Sequence, residues 1–333
     1  METSNTEKQK MESGVYNASL YLHDMLQTQN IESQISMCID NNCIEKYVFN
    51  YRPTHVMIEA LWVVPEKVKL LQSLYPNIIW IIRYHSEMPF IASEGIGMKW
   101  FFGYINIKNV MVAANGIKIY REFKEIIKIM NLKNDELKKI IYLPNYYPSD
   151  FKIKQIDKTQ DNINISCFGA IRPLKNHLIQ AVAAIEFSKK INKKLRFHIN
   201  YDRLEMNGMP NYHNLRDLFI FLGPDYELVC HPWNCKKDFF KVIEEIDIGM
   251  QVSFSETFNI VAADLISNGV PLLCSNELPW SINELSCSTT DSKDIVNKLL
   301  LLYNNNEENL KLYQESLKKY SNITTIIWNI NFK

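Results

Sequence analysis

Short apolar runs alternate with stretches in which apolar side chains recur at three- and four-residue steps along most of the chain. In the first half SQISMCI, THVMIEAL, NIIWIIRYH, VMVAAN and KIIYLPN read as strands, and EKVKLLQSLY and IKIYREFKEIIKIM read as helices covering a sheet. In the second half INISCFG, KLRFHIN, YELVCHPW, DIGMQVS and GVPLLCS read as strands separated by helices, and EENLKLYQESLKKY as a long closing helix. That alternation predicts α/β layers around mainly parallel sheets. Between the halves, YYPSDFKIKQIDKTQDN is polar and aperiodic and reads as a linker. The expected organisation is an N-terminal Rossmann-like domain over 1–148, a linker over 149–162 and a C-terminal domain over 163–313. A final segment over 314–333 has an apolar end, TTIIWNINF, expected to dock on the first domain. Both domains are expected to be doubly wound, with ligand at the carboxyl ends of strands and in the cleft between them.

A chain of 333 residues, 47% hydrophobic, has the length for two domains of roughly 150 residues and the material for two cores. Lys+Arg and Asp+Glu each total 37, so no broad positive field favours nucleic acid. The opening METSNTEKQK lacks the apolar core of a secretory signal, and no run of about 18 apolar residues appears. Seven cysteines, scattered without a framework, suit a reducing compartment; the expected location is the cytoplasm. No G-x-G-x-x-G follows a strand, which argues against a nicotinamide dehydrogenase.

The most informative stretch is SFSETFNIVAADLISNGVPLLCS. Ser255 and Thr257 are good helix starters, Phe258, Val261, Ala262 and Leu265 keep helical spacing, and Asn268-Gly269 ends the element. Glu256 is therefore expected at the amino end of a helix, with Asp264 roughly 12 Å further along its axis. A helix amino terminus between two carboxylates suits a diphosphate flanked by hydroxyl-bearing rings, as in a nucleotide sugar. Upstream, SCFGAIRPLKNHLIQAVAA places a strand, Gly169, then Arg172 and Lys175, before another helix. An Arg-x-x-Lys pair alone usually marks only a solvated helix start; its company with the acidic motif gives it weight. Cys230, His231 and Cys235 in VCHPWNC lack the paired spacing of a zinc site, so a structural histidine and buried cysteines are expected there.

The segment IDIGMQVSFSETFNIVAADLISNGVPLLCS resembles the donor-site segment of GT-B glycosyltransferases, especially the large retaining family 4. Glu256 then implies a contact to the transferred sugar and Asp264 a hold on the ribose hydroxyls. In this chain Asp264 replaces the commoner Glu, and Asn259 stands where a Gly is usual. The resemblance also makes Arg172 and Lys175 a diphosphate clamp, so that no metal and no cofactor is expected. The co-substrate is a nucleoside diphosphate sugar, a UDP-sugar foremost. His85, which leaves NIIWIIRYH ahead of SEMPF, resembles a first-domain histidine facing the sugar; Glu87 and Gly14 are acceptor-side candidates. YLPNYYP resembles the family's interdomain segment, with Tyr146 for Gly, and reads Asn145 as a hinge residue. His231 and Trp233 are base-side candidates because their strand ends near the base in this fold. The implied catalytic set is His85, Arg172, Lys175 and Glu256, and the donor-binding set adds Gly169, His231, Thr257, Phe258 and Asp264. Such enzymes ordinarily open on an apolar strand, and none precedes Gly14 in ESGVYNASLYLHDML.

The implied activity is transfer of a sugar to an acceptor hydroxyl with retention of configuration. The acceptor is left open among glycan, protein, lipid and modified DNA base. A nucleotide-sugar epimerase would act on donor alone, and an inactive sugar- or nucleotide-binding scaffold would bind donor without turnover.

Overall fold

The computed structural model describes residues 14–130 and 134–332. The opening METSNTEKQK, and with it the question of a strand before Gly14, lies outside them. The chain forms two compact units, one of Val15–Tyr146 with the residues from Asn322 onward, the other of Tyr147–Ser321 with Gly14. The chain passes between them after Tyr146 and again inside the helix Asn306–Phe332.

In the N-terminal unit β1 (His55–Glu59), β2 (Ile79–Tyr84), β3 (Val110–Ala114) and β4 (Ile140–Tyr142) form a parallel sheet in the order β1-β2-β3-β4. Parallel crossovers are almost always right-handed, so a sheet that grows in one direction puts every crossover helix on one face. Trp80, Ile82, Tyr84, Val110, Val112 and Ala114 point to that face, against Val68 and Leu71 of one helix and Phe101, Tyr104 and Phe123 of others. The alternate residues Ile81 and Ala113 face the other way. That second face needs cover from outside the crossovers. Leu22, Met25 and Leu26 of the helix Gly14–Thr28 and Trp328 near the chain's end supply it. TTIIWNINF is thus helical and packed within this unit, with the Trp328 indole donating to the Pro144 carbonyl at 2.9 Å.

SQISMCI is not a strand. Its backbone joins no ladder, and alternation alone does not make one. The segment is an irregular connection held by side chains: the Ser33 hydroxyl lies 2.9 Å from His23 Nδ1, and the Tyr47 hydroxyl donates to the Met37 carbonyl. Ile39, with 88% exposure, has no core to enter.

In the C-terminal unit β5 (Asn162–Ser166), β6 (Lys194–Asn200), β7 (Tyr226–His231), β8 (Ile248–Gln251) and β9 (Leu272–Cys274) form a parallel sheet in the order β7-β6-β5-β8-β9. The chain runs outward from β5 to β7 and returns beside β5 as β8, so the order reverses between β5 and β8. Sheets of this kind commonly take ligand at the carboxyl ends of the strands where the order reverses. Residues 149–162, expected as a linker, are bonded into this unit: the Lys152 amide donates to Ser267 O, the Ser267 hydroxyl to Asp150 O, and Ile156 joins the core. Gly269, at φ +82, lets that segment pass; a Cβ there would lie 2.7 Å from the Lys154 amide.

Candidate active site

Two loops meet where the C-terminal sheet reverses. The first leaves β5 through Gly169, whose φ of +117 is open to glycine and strained for other residues, and whose amide donates to Asn200 Oδ1 at 2.9 Å. It continues through Arg172 into a short 3₁₀ turn, Pro173–Lys175, and the helix His177–Lys190. The second leaves β8 and carries Ser253 to Asn259. The loops are tied together by the Phe254 amide on Leu174 O and by Asn176 Nδ2 on Val252 O.

Those ties bring Lys175 and Glu256 into contact. Lys175 Nζ lies 2.5 Å from Glu256 Oε1, and both side chains are less than a tenth exposed. Gln251 Oε1 lies 3.5 Å from the same ammonium. Asn259 Nδ2 donates to both Gln251 Oε1 and Glu256 Oε1, at 2.8 and 3.1 Å. A buried ammonium and carboxylate, mutually neutralised, therefore sit where the two loops meet. Arg172, in the first loop, lies 3.4 Å from Glu205, which Arg203 also contacts.

The helix begins later than the spacing of Ser255 and Thr257 suggests. It spans Ile260–Ser267, capped by Asn259, whose Oδ1 accepts from the Ala262 amide. Asn259 adopts φ 62, a left-handed conformation that Asn tolerates better than most residues, which accounts for Asn where Gly is usual. Glu256, Thr257 and Phe258 consequently lie in the loop, and the helical rise separates only Ile260 from Asp264. The Phe258 ring packs against Tyr147, Trp280 and Tyr320. Asp264 is 4% exposed, and its Oδ1 accepts from the Tyr147 hydroxyl at 2.7 Å. Burial pushes its carboxyl up to about 7 although the Tyr147 hydrogen bond opposes the rise. Gly14 lies near this helix, where an added Cβ would come within 3.2 Å of Ile260 Cγ2.

His85 belongs to the N-terminal unit, one residue past β2. Its Nε2 pairs with Glu59 at the end of β1, and Asn115, just past β3, approaches its Nδ1 at 3.2 Å. Glu59 also takes two bonds from Arg83, whose remaining donors reach Leu143 O and Asn145 Oδ1. Burial acts to raise the Glu59 pKa, but Arg83 and His85 outweigh it and hold the carboxyl at about 2. Asn145, read as a hinge residue, is thus part of this polar cluster. With both ring nitrogens of His85 engaged, the ring can bond a ligand only by giving up one partner. Glu87 is a buried carboxylate at the start of the short helix Met88–Ile91. The sequence reading missed Glu59 and Asn115; their position at or one residue past a strand's carboxyl end was the available signal.

His231 closes β7 and Trp233 follows, its ring 4.4 Å from the Arg203 guanidinium. Cys230 is exposed and Cys235 partly so, contrary to the expected buried cysteines, because β7 is an edge strand. Among the described residues no group of three or more His, Cys, Asp or Glu side chains is placed to hold a metal ion. No described helix is long and apolar enough to cross a membrane.

No protein-family model and no curated protein matches the chain. Solved structures do. An α,α-trehalose-phosphate synthase (UDP-forming) from Burkholderia xenovorans, in complex with glucose-6-phosphate, aligns at a TM-score of 0.65 and 12% identity over 88% of this chain and 76% of that one. A trehalose-6-phosphate structure from E. coli, bound with UDP-2-fluoro glucose, aligns at 0.61 and 10%, over 86% and 73%. The N-terminal domain of a Candida albicans trehalose-6-phosphate phosphatase aligns at 0.64 and 9%, over 86% and 72%. Parallel α/β units and this likeness over most of the chain give it the GT-B fold shared with the trehalose-phosphate synthases.

Proposed function

We propose that the chain is a glycosyltransferase that moves a sugar from a nucleoside diphosphate sugar to an acceptor hydroxyl with retention of configuration. The observation that carries the reading is the buried Lys175–Glu256 pair where the sheet order reverses. A diphosphate bound there takes over Lys175, with Arg172 as the second cation, and the two neutralise the charge that grows on the leaving group. Glu256, released from Lys175, accepts hydroxyls of the sugar. Asp264 accepts the ribose hydroxyls in place of Tyr147. The bond from the anomeric carbon to the phosphate oxygen breaks, the bond to the acceptor oxygen forms on the same face, and the acceptor proton passes to the departing phosphate.

UDP-sugars are the first donors to try, since UDP-2-fluoro glucose is bound in one structure of this fold, and sugar phosphates the first acceptors, since glucose-6-phosphate is bound in another. The seven cysteines, all free thiols, support action in the cytoplasm. The test is incubation with UDP-, GDP- and ADP-sugars and a panel of sugar and sugar-phosphate acceptors, read by mass spectrometry. A glycosylated product that disappears in Lys175→Ala and Glu256→Gln supports the reading. An epimerised sugar from donor alone replaces it with an epimerase. Donor binding without turnover of any acceptor replaces it with a scaffold.

A further inference from the structure

Four side chains close into a hydrogen-bonded ring where the two loops meet. Lys175 Nζ lies 2.5 Å from Glu256 Oε1, and Asn259 Nδ2 donates to that same oxygen at 3.1 Å. Asn259 Nδ2 also donates to Gln251 Oε1 at 2.8 Å, and Gln251 Oε1 lies 3.5 Å from Lys175 Nζ, which completes the circuit. All four residues are buried. Bonds outside the ring fix which atoms face into it. Gln251 Nε2 donates to Phe168 O at 2.9 Å, so the Gln251 oxygen turns inward. Asn259 Oδ1 accepts from the Ala262 amide at 3.0 Å, so the Asn259 NH₂ turns inward. An ammonium and an amide NH₂ only donate, and a carboxylate and an amide oxygen only accept. Donors and acceptors therefore alternate around the ring, and no edge sets two like groups against each other.

Such a ring has a property that an isolated ion pair lacks. Parting Lys175 from Glu256 opens one edge and leaves three. The carboxylate keeps Asn259, the ammonium keeps Gln251, and the Asn259–Gln251 bond joins the two halves. A buried carboxylate that loses its only partner is strongly unfavourable, and a retained amide donor reduces that cost and stops the side chain from swinging away. Both bonds to Glu256 end on Oε1, and among the described residues no hydrogen bond ends on Oε2. Oε2 is thus the oxygen left to accept from outside the ring.

We propose that Asn259 and Gln251 are positioning residues that hold Glu256 and Lys175 in place when an anion draws the ammonium away, so that Glu256 presents Oε2 to a hydroxyl of the ligand's sugar. This rests on the donor-site reading above and adds the residues that keep the opened pair aimed. The two divide the task. Asn259 acts on the carboxylate and hence on the sugar, whereas Gln251 acts on the ammonium as well and hence on the phosphates.

The test measures calorimetric affinity of the full chain for UDP, GDP and ADP and for the glucose conjugate of each, read on the nucleotide that binds tightest. Asn259→Gly keeps the left-handed backbone and removes the donor to Glu256. It is expected to weaken the glucose conjugate by about tenfold or more, the scale of one hydrogen bond to a charged group, and the bare diphosphate by less than about threefold. Gln251→Met takes an acceptor from Lys175 as well as from Asn259 and is expected to weaken both ligands alike. If Asn259 served only to cap its helix, Asn259→Gly would move both ligands together. That uniform loss, or an unchanged affinity for the conjugate, overturns the inference and leaves the donor site standing. No binding of any diphosphate to the unaltered protein overturns the donor-site reading and the inference with it.

Discussion

A buried ammonium and a buried carboxylate are tolerable only together, and Lys175 and Glu256 show why their pairing is both a structural commitment and a resource. Removing one partner strands the other charge in a poorly solvated place. Replacing both by apolar groups of similar volume removes two desolvation penalties along with the attraction. Lys175→Met is therefore expected to lower stability by about 3 kcal/mol, and the double variant Lys175→Met/Glu256→Leu by clearly less than the sum of the single losses. Urea denaturation of the four proteins of the cycle measures it; additive losses would mean that the pair is solvated and weak. On the proposed donor-site reading, a ligand phosphate solves the same problem from outside by supplying a new anion to Lys175.

At the scale of elements, the helix Ile260–Ser267 depends on one residue to start it. Asn259 holds a left-handed backbone, caps the Ala262 amide, and reaches back to Gln251 and Glu256. Asn259→Gly keeps the backbone conformation and loses the side-chain bonds; Asn259→Ala loses the bonds and adds strain. The unaltered protein is expected to melt highest, the Asn259→Gly variant next and the Asn259→Ala variant lowest, with about 1 kcal/mol for the lost cap and about 1 kcal/mol more for the strain. Equal melting temperatures for the two variants would remove the backbone argument. Ser255 and Thr257 compete as caps on propensity alone, and local sequence does not decide between three good capping residues in a row of five. The tertiary position of Gln251 does, by giving the Asn259 side chain a second partner.

Over the whole molecule, buried histidines tie stability to pH. Burial, reinforced by Lys175 and Arg172, holds His177 down to about 3, and burial with the neighbouring His231 and Arg196 holds His198 at about 3, against an ordinary value of 6.5. Between those values the unfolded chain binds protons that the folded chain refuses, so each histidine lowers stability as pH falls through that window, by up to about 1.4 kcal/mol per pH unit. Asp264 acts in the opposite sense: with its carboxyl raised from 3.8 to about 7, its contribution shrinks as pH rises through that interval. The net slope mixes these with other shifted groups, among them Glu59, held at about 2, and a difference measurement isolates one of them. Both ring nitrogens of His177 are buried without a hydrogen-bond partner, so His177→Phe removes a titrating group and no bond. Relative to the unaltered protein, this variant is expected to gain stability steadily as pH falls from about 7 to about 5. Parallel urea midpoints across that range would show that His177 is protonated alike in both states.

Sequence by itself determined the elements whose pattern is dictated by a two-sided environment. The central strands β2, β3, β5, β6 and β8 were legible because their inward positions must be apolar, and the edge strands as short apolar runs; the meeting of the Arg172–Lys175 loop with Glu256 was legible as a motif, whereas the helical spacing of Glu256 and Asp264 was not kept. What only the tertiary structure decided is which polar groups meet. Glu59 and Asn115 close on His85 across three strands, and Tyr147 reaches Asp264 over a separation of 117 residues. Asp247, Asn164, His198 and His231, from four different strands or their ends, meet in one hydrogen-bonded row. The false strand SQISMCI has the same origin. Apolar burial is a property of one segment's own pattern, whereas a hydrogen bond or a sheet ladder needs a second partner whose position the local sequence does not contain.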